Sequence, residues 1–326
     1  MLCRYLHIVL LISIASLSVK AQQPGQYSFY FLDKFIFNPA YAGLDNSFSG
    51  LILARGQWTG LNGSPVQENI SFHFPLHNIG GGVGLNIENE KLGLEQNLNA
   101  SVSYSQHIRV SQSSVLSLGL RGSLLNKKFD GSSATTPDGE YPAGGNPDHK
   151  DDYVPTTAVS SSTYNASAGV YFKARQFEAG IGVESFLPTK WKFVSNTDVI
   201  IAVKSYYFIN FAYTFEINDG FDLSINGLVK SNTTQWQTDI STFMNLYDNF
   251  FVGIAFRGYN SSTFDAISWL GGYRLSEGLK MVLAYDQGLS SLKHVNNGTF
   301  EFGLQYMWGE KYLKGKLPVI IFNPRY

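Results

Sequence analysis

A single cysteine, Cys3, stands in the 326 residues, so no disulfide within the chain is possible. It precedes the chain's one long apolar run, which is the wrong place for a lipoprotein cysteine. Charge is also scarce. Only 15% of residues are charged, with 24 Lys+Arg against 25 Asp+Glu and a formal net charge of -1. That balance gives no electrostatic basis for nucleic-acid binding. Long hydrophobic runs are missing apart from Ile8 to Leu17, which follows Arg4 and precedes Val19-Lys20-Ala21. That run has the length of a signal-peptide core and is too short to span a bilayer comfortably. Residues 1–21 are therefore expected to be a cleaved export signal, leaving Gln22 first. A bundle of membrane helices is excluded.

What is abundant is aromatic and small. There are 24 Phe, 19 Tyr and 32 Gly. They fall in runs that alternate with period two, as in Phe221, Leu223 and Ile225 against Asp222, Ser224 and Asn226. Fourteen such runs are expected, at 47–56, 66–74, 81–90, 95–110, 112–126, 163–174, 176–185, 201–217, 221–231, 235–247, 249–259, 264–275, 278–287 and 297–308. Each is long enough for a tilted membrane crossing of roughly ten residues. Short turns alternate with connections that are mostly longer, chiefly 57–65, 127–162, 186–200 and 288–296. One rim of tight turns and one of longer loops is the pattern of outer-membrane barrels. The fold class expected is all-β, a transmembrane barrel of about fourteen antiparallel strands in the bacterial outer membrane. A secreted β-sandwich would rarely need so many long strands in unbroken hairpin order.

The chain then divides into a signal at 1–21, an N-terminal plug-like segment at 22–46, the barrel at 47–308 and a periplasmic tail at 309–326. The plug expectation rests on Phe35-Ile36-Phe37-Asn38-Pro39-Ala40-Tyr41-Ala42-Gly43. This compact apolar stretch has no clean period and needs a surface to bury it. Asn38-Pro39 and Gly43 supply turns. A bore of about fourteen strands is too wide for wall side chains to fill. Phe35, Phe37 and Tyr41 are expected against the inner wall. Arg55, Arg121, Asp222, Lys230, Arg257, Arg274 and Glu301 fall on the face assigned to the lumen, either as ion pairs filling the bore or as the lining of an open channel.

Asn38-Pro39-Ala40-Tyr41-Ala42-Gly43, then Arg55-Gly56-Gln57-Trp58-Thr59-Gly60 with Gly63-Ser64-Pro65, then Gly82-Val83-Gly84-Leu85 leading to Glu90 and Gly93, resemble the PorP/SprF family. These are outer-membrane proteins of Bacteroidetes tied to type IX secretion and gliding. The likeness is sharpest from Gln22 to about Ser123. Phe35, Phe37, Asn38, Pro39, Tyr41, Gly43, Arg55 and Trp58 are the plug and contact candidates. The likeness implies a non-enzymatic role supporting secretion or surface attachment of a large adhesin. The implied partners are the adhesin's C-terminal domain and periplasmic type IX components, besides outer-membrane lipid. The alternative is a passive or hydrophobic-solute channel with the first segment as a hatch.

No catalytic, cofactor or metal site is expected. His73 and His77 bracket a strand end and Pro75, so their spacing of four is not a helical zinc pair. No phosphate loop or H-E-x-x-H motif occurs. Asp130, Asp138, Glu140, Asp148, Asp151 and Asp152 on the 127–162 loop could ligate calcium, but their spacing is not that of an EF-hand. A solvated acidic loop is the plainer reading.

Overall fold

The computed structural model describes residues 25–142, 147–193, 199–218, 220–247, 249–259 and 263–309. The expected signal at 1–21 lies outside the described residues, as does the expected tail beyond Gly309. Sixteen strands form: β1 Phe48–Gly56, β2 Val66–Leu76, β3 Gly81–Leu92, β4 Glu95–Ser111, β5 Ser114–Asp130, β6 Ala158–Ala174, β7 Phe177–Glu184, β8 Lys190–Phe193, β9 Val199–Ala202, β10 Tyr206–Asn218, β11 Phe221–Ser231, β12 Trp236–Leu246, β13 Phe250–Tyr259, β14 Thr263–Ser276, β15 Leu279–Gly288 and β16 Thr299–Trp308. All but β8 and β9 close into one antiparallel barrel of fourteen strands. The seam is β1 against β16, where Arg55 is the register partner of Glu301.

Alternation explains the closure. On β1, Leu51 and Leu53 are buried in the bore while Ile52 is 50% exposed on the outside. Exposed aromatics ring both ends of the outer surface. Tyr207, Trp236, Phe264 and Phe300 lie toward the long-loop rim, and Phe74, Phe177, Phe250 and Trp308 toward the short-turn rim. Such girdles sit at the two water–lipid boundaries of a membrane barrel. Closure leaves no unpaired strand edge for hydrocarbon to meet.

Two connections differ from the sequence expectation. The 127–162 loop is shorter than expected, because β5 runs on to Asp130 and β6 starts at Ala158. Lys127 is buried and donates to Asn97 Oδ1 at 3.1 Å, so period two continues past Asn126. The 186–200 connection carries its own hairpin, β8–β9, and the next wall strand begins at Tyr206 rather than Ile201.

The charged residues on the lumen face share the bore wall with apolar ones. Leu51, Leu53, Phe208, Leu228, Phe251, Leu270 and Val282 face inward and are buried. They pack against Tyr27, Phe29, Tyr30, Phe31, Ile36 and Phe37, so the main hydrophobic cluster lies inside the barrel. Inward apolar residues are stable there because they meet apolar partners instead of water.

Lipid contact makes the outer surface intolerant of charge. Leu120 faces outward at 64% exposure. Leu120→Arg should lower stability by about 2–4 kcal/mol at bilayer mid-depth, read by urea unfolding from lipid vesicles. The wild-type barrel should migrate faster on gels unheated than boiled.

Candidate functional site

Residues 25–47 descend through the bore from the long-loop rim to the start of β1. Near the top, Lys230 Nζ donates to Gly25 O at 3.2 Å and Gln26 N to Gln67 Oε1 at 3.3 Å. Midway, Tyr30 Oη donates to Ser241 Oγ at 3.0 Å and Gln305 Nε2 to Leu32 O at 3.2 Å. At the bottom, Ser105 Oγ donates to Ala42 O at 2.7 Å and Gly43 N to His73 Nδ1 at 3.1 Å. Polar contacts reach this segment from β1–β7, β11, β12, β15 and β16, which is eleven of the fourteen wall strands. The Phe37–Phe208 and Phe29–Phe251 ring pairs add β10 and β13.

The upper contacts form an ionic cluster. Arg55 donates to Asp286 Oδ2 at 2.6 Å, to Glu301 Oε2 at 2.9 Å and to Ser28 Oγ at 2.9 Å. Glu301 accepts the backbone N–H groups of Ser28 at 2.7 Å and Phe29 at 3.2 Å. Arg257 bridges Asp239 at 2.7 Å and Asp286 at 3.2 Å. These charges satisfy one another and also the irregular backbone beside them. That matters because an unpaired buried charge costs several kcal/mol.

Arg121 acts differently. Its guanidinium donates to Ile36 O at 2.8 Å, to Phe35 O and to Ser103 Oγ at 3.0 Å, and it lies 4.8 Å from the Phe35 ring centre. It grips main-chain carbonyls that no strand or helix partner satisfies.

Below it the chain makes the Pro39–Tyr41 turn. Asn38 is extended at φ -142°, and its side chain caps the turn by accepting from Ala40 N at 3.0 Å. Its amide donates to Val170 O at 3.1 Å and Ile181 O at 3.2 Å, spanning β6 and β7. The wall is hollowed to admit this turn. A Cβ on Gly119 would sit 2.2 Å from Ala40 N, and one on Gly169 would sit 2.0 Å from Asn38 Oδ1.

A second ionic cluster closes the short-turn end. Lys34 pairs with Glu178, and Lys173 lies 3.4 Å from Glu178 and 3.5 Å from Asp45. Tyr41 Oη donates to Asp45 at 2.7 Å, and His73 Nε2 lies 3.7 Å from Asp33 and 3.6 Å from Asp45. Burial pushes the Asp45 carboxyl up, but Lys173 and His73 outweigh it and hold it below its ordinary value.

The expected residues divide accordingly. Phe35, Phe37, Asn38, Pro39, Tyr41 and Gly43 lie in the segment, and Arg55, Arg121, Lys230, Arg257 and Glu301 meet at or beside it. Asp222 is buried on the bore side of β11. Trp58 and Arg274 are not brought to the segment. Trp58 has φ +50° in the loop after β1, where the strand alternation has ended, and its N–H donates to Thr299 Oγ1 at 3.1 Å. Arg274 is half-buried near the opposite rim. The sequence reading missed Ser28, Asp33, Glu178, Asp239 and Asp286. Their signal was their place on the polar side of period-two runs or within an unpatterned stretch. The acidic residues of the 131–157 connection are not gathered into a ligand set. Asp148 pairs with Lys150 at 2.6 Å, Asp130 bonds Ser132 and Ser133, and no group of three or more metal-ligating side chains occurs among the described residues.

Gly119→Leu should displace the Pro39–Tyr41 turn while leaving the wall intact. The expected outcome is protease cleavage within residues 25–47 of a barrel that still shows heat-modifiable migration. Asp45 gives the pH dependence. Its depressed value means its contribution is complete above the ordinary carboxylate range and is lost as pH falls through the depressed value. Protection of the segment should hold from neutrality down to about pH 5 and weaken only in stronger acid, and Asp45→Asn should reduce that acid step, with Glu178 in the same cluster carrying the remainder.

A search of curated proteins gives no match. Among solved structures, the CymD monoaromatic hydrocarbon channel matches at 12% identity and a TM-score of 0.50, over 84% of this chain and 92% of that one. The Ralstonia pickettii toluene transporter TbuX gives 10% and 0.49, over 84% and 93%. The Pseudomonas putida toluene transporter TodX gives 8% and 0.47, over 88% and 94%. At 12% identity the CymD match speaks for the barrel fold alone. The model of the family described as type IX secretion system membrane protein PorP/SprF matches residues 19–306. The sharpest resemblance in the sequence, from Gln22 to about Ser123, falls inside that span, and the closed barrel with its aromatic girdles is the fold such a protein needs in the outer membrane. This chain therefore belongs to the PorP/SprF family of type IX secretion system membrane proteins.

Proposed function

We propose that this outer-membrane barrel supports type IX secretion, or surface attachment of a large secreted adhesin, by holding partners, and that residues 25–47 act as its plug. The observation that carries the reading is the seating of this segment, tied by polar contacts to eleven wall strands and by two ionic clusters. A bore occupied in this way suits a docking platform better than a free diffusion path. In this reading residues 1–21 are the cleaved export signal. The long-loop rim holds the adhesin's C-terminal domain, and the short-turn rim with the 309–326 tail meets periplasmic secretion components. The role is non-enzymatic.

Deletion of residues 22–43 tests both halves. The expected result is an assembled barrel with raised ion conductance in planar bilayers and lost export or retention of the adhesin. Unchanged conductance would remove the plug. Affinity purification of the intact protein from outer membranes should recover a secreted adhesin or a type IX component. Recovery of neither, together with uptake of hydrophobic solutes, would favour the channel alternative.

A further inference from the structure

The outer face of β2–β6 near the long-loop rim carries three rows fixed by strand register. Ile70, Ile87, Ala100, Leu124 and Tyr164 make an unbroken apolar row. One step closer to the rim stand Glu68, Asn89, Leu98, Asn126 and Ser162, polar at every position but one. Asn89 Nδ2 donates to Glu68 Oε2 at 3.1 Å and Asn126 Nδ2 to Ser162 Oγ at 2.9 Å. One step further, Lys91, Gln96 and Lys128 are successive register partners on β3, β4 and β5. All three are exposed on the outside of the wall.

The change from apolar to polar marks where the hydrocarbon ends on this face. The lysines stand just beyond it. Two strand spacings separate their backbones by about 10 Å, which two flexible stems can close over Gln96. Neither lysine has an ion-pair partner among the described residues. Glu68 is the outward carboxylate of the row below and is already engaged by Asn89. Asp130, one row above, accepts from Ser132 and Ser133 and feels the charge of Lys128 without forming an ion pair with it. The long-loop rim of such barrels faces outward, so this pair of cations meets the headgroup zone of the outer leaflet.

We propose that Lys91 and Lys128, with Gln96 between them, bind a phosphate of a phosphorylated outer-leaflet glycolipid. Ammonium groups at a membrane surface attract anionic headgroups individually. Two converging on one phosphate add selectivity for the lipid that carries it. Gln96 supplies a neutral donor to the same group, because its amide already reaches Asn89 Oδ1 at 2.9 Å along this face. The site lies on the lipid side of the wall and does not depend on the plug.

The test uses the purified full-length barrel in detergent. The midpoint of heat-modified gel migration is followed while phosphorylated glycolipid is added, then the same lipid dephosphorylated, then inorganic phosphate. The wild type should be stabilised by the phosphorylated lipid alone. Lys91→Gln with Lys128→Gln should require about tenfold more lipid, while Lys91→Arg with Lys128→Arg should behave as wild type. Native mass spectrometry should show the corresponding loss of co-purified lipid. Equal stabilisation by dephosphorylated lipid would overturn the proposal, and so would stabilisation by inorganic phosphate, or a double Gln variant that binds as wild type. Secretion by the double Gln variant should be unchanged, which separates this site from the proposed partner role.

Discussion

Everything inside this barrel depends on satisfying an irregular backbone where little water can reach it. Residues 25–47 lie in neither a long helix nor a strand, so most of their N–H and C=O groups lack regular partners. Turn hydrogen bonds within the segment, such as Leu32 N to Phe29 O and Tyr41 N to Asn38 O, satisfy part of its backbone, and wall side chains supply further partners. Glu301 takes two successive N–H groups, Arg121 takes two successive carbonyls, and Ser105 and Gln305 take others. Charged donors and acceptors make the stronger hydrogen bonds, which accounts for finding Arg and Glu there rather than Ser and Thr alone. Ion pairing between the same groups then offsets part of the cost of burying their charge.

The apolar side of the segment solves a different problem. Phe29, Phe31 and Phe37 meet Phe251, Phe243 and Phe208 on the β10–β13 side, with ring centres 6.2, 4.5 and 5.5 Å apart. The Asn38–Gly43 turn meets glycine on the β3–β7 side, where backbone lies against backbone. Large side chains fill the bore on one side of the segment, and missing side chains admit its backbone on the other. The two faces leave little freedom for the segment to rotate or slide.

The barrel was legible because period two is a strong and redundant signal. All fourteen wall strands appear in the sequence, and the errors fall at strand ends, where inward and outward residues such as Lys127 and Lys128 are both polar and hydropathy no longer alternates. The β8–β9 hairpin was not legible, since four-residue strands are too short to show a period. The segment could be read as apolar and in need of burial, because Phe35, Phe37 and Tyr41 are adjacent in sequence. Its polar partners could not be read. Asp239, Asp286 and Glu178 look like any inward polar residue until folding shows which of them face Arg257, Arg55 and Lys34. The place of Trp58 could not be read for a related reason, since a motif fixes residue type and order but not whether strand alternation reaches the residue.

One pair also bears on how the molecule is made. Arg55 and Glu301 are register partners across the β1–β16 seam and jointly hold Ser28. Glu301 lies 273 residues beyond Ser28 in sequence. A contact over that separation carries a large loop-closure entropy. Sealing the wall and seating the first segment share one residue pair. The first segment is thus fastened to the seam itself, and a barrel without it keeps the Arg55–Glu301 contact across the seam but loses the two backbone N–H groups that Glu301 holds.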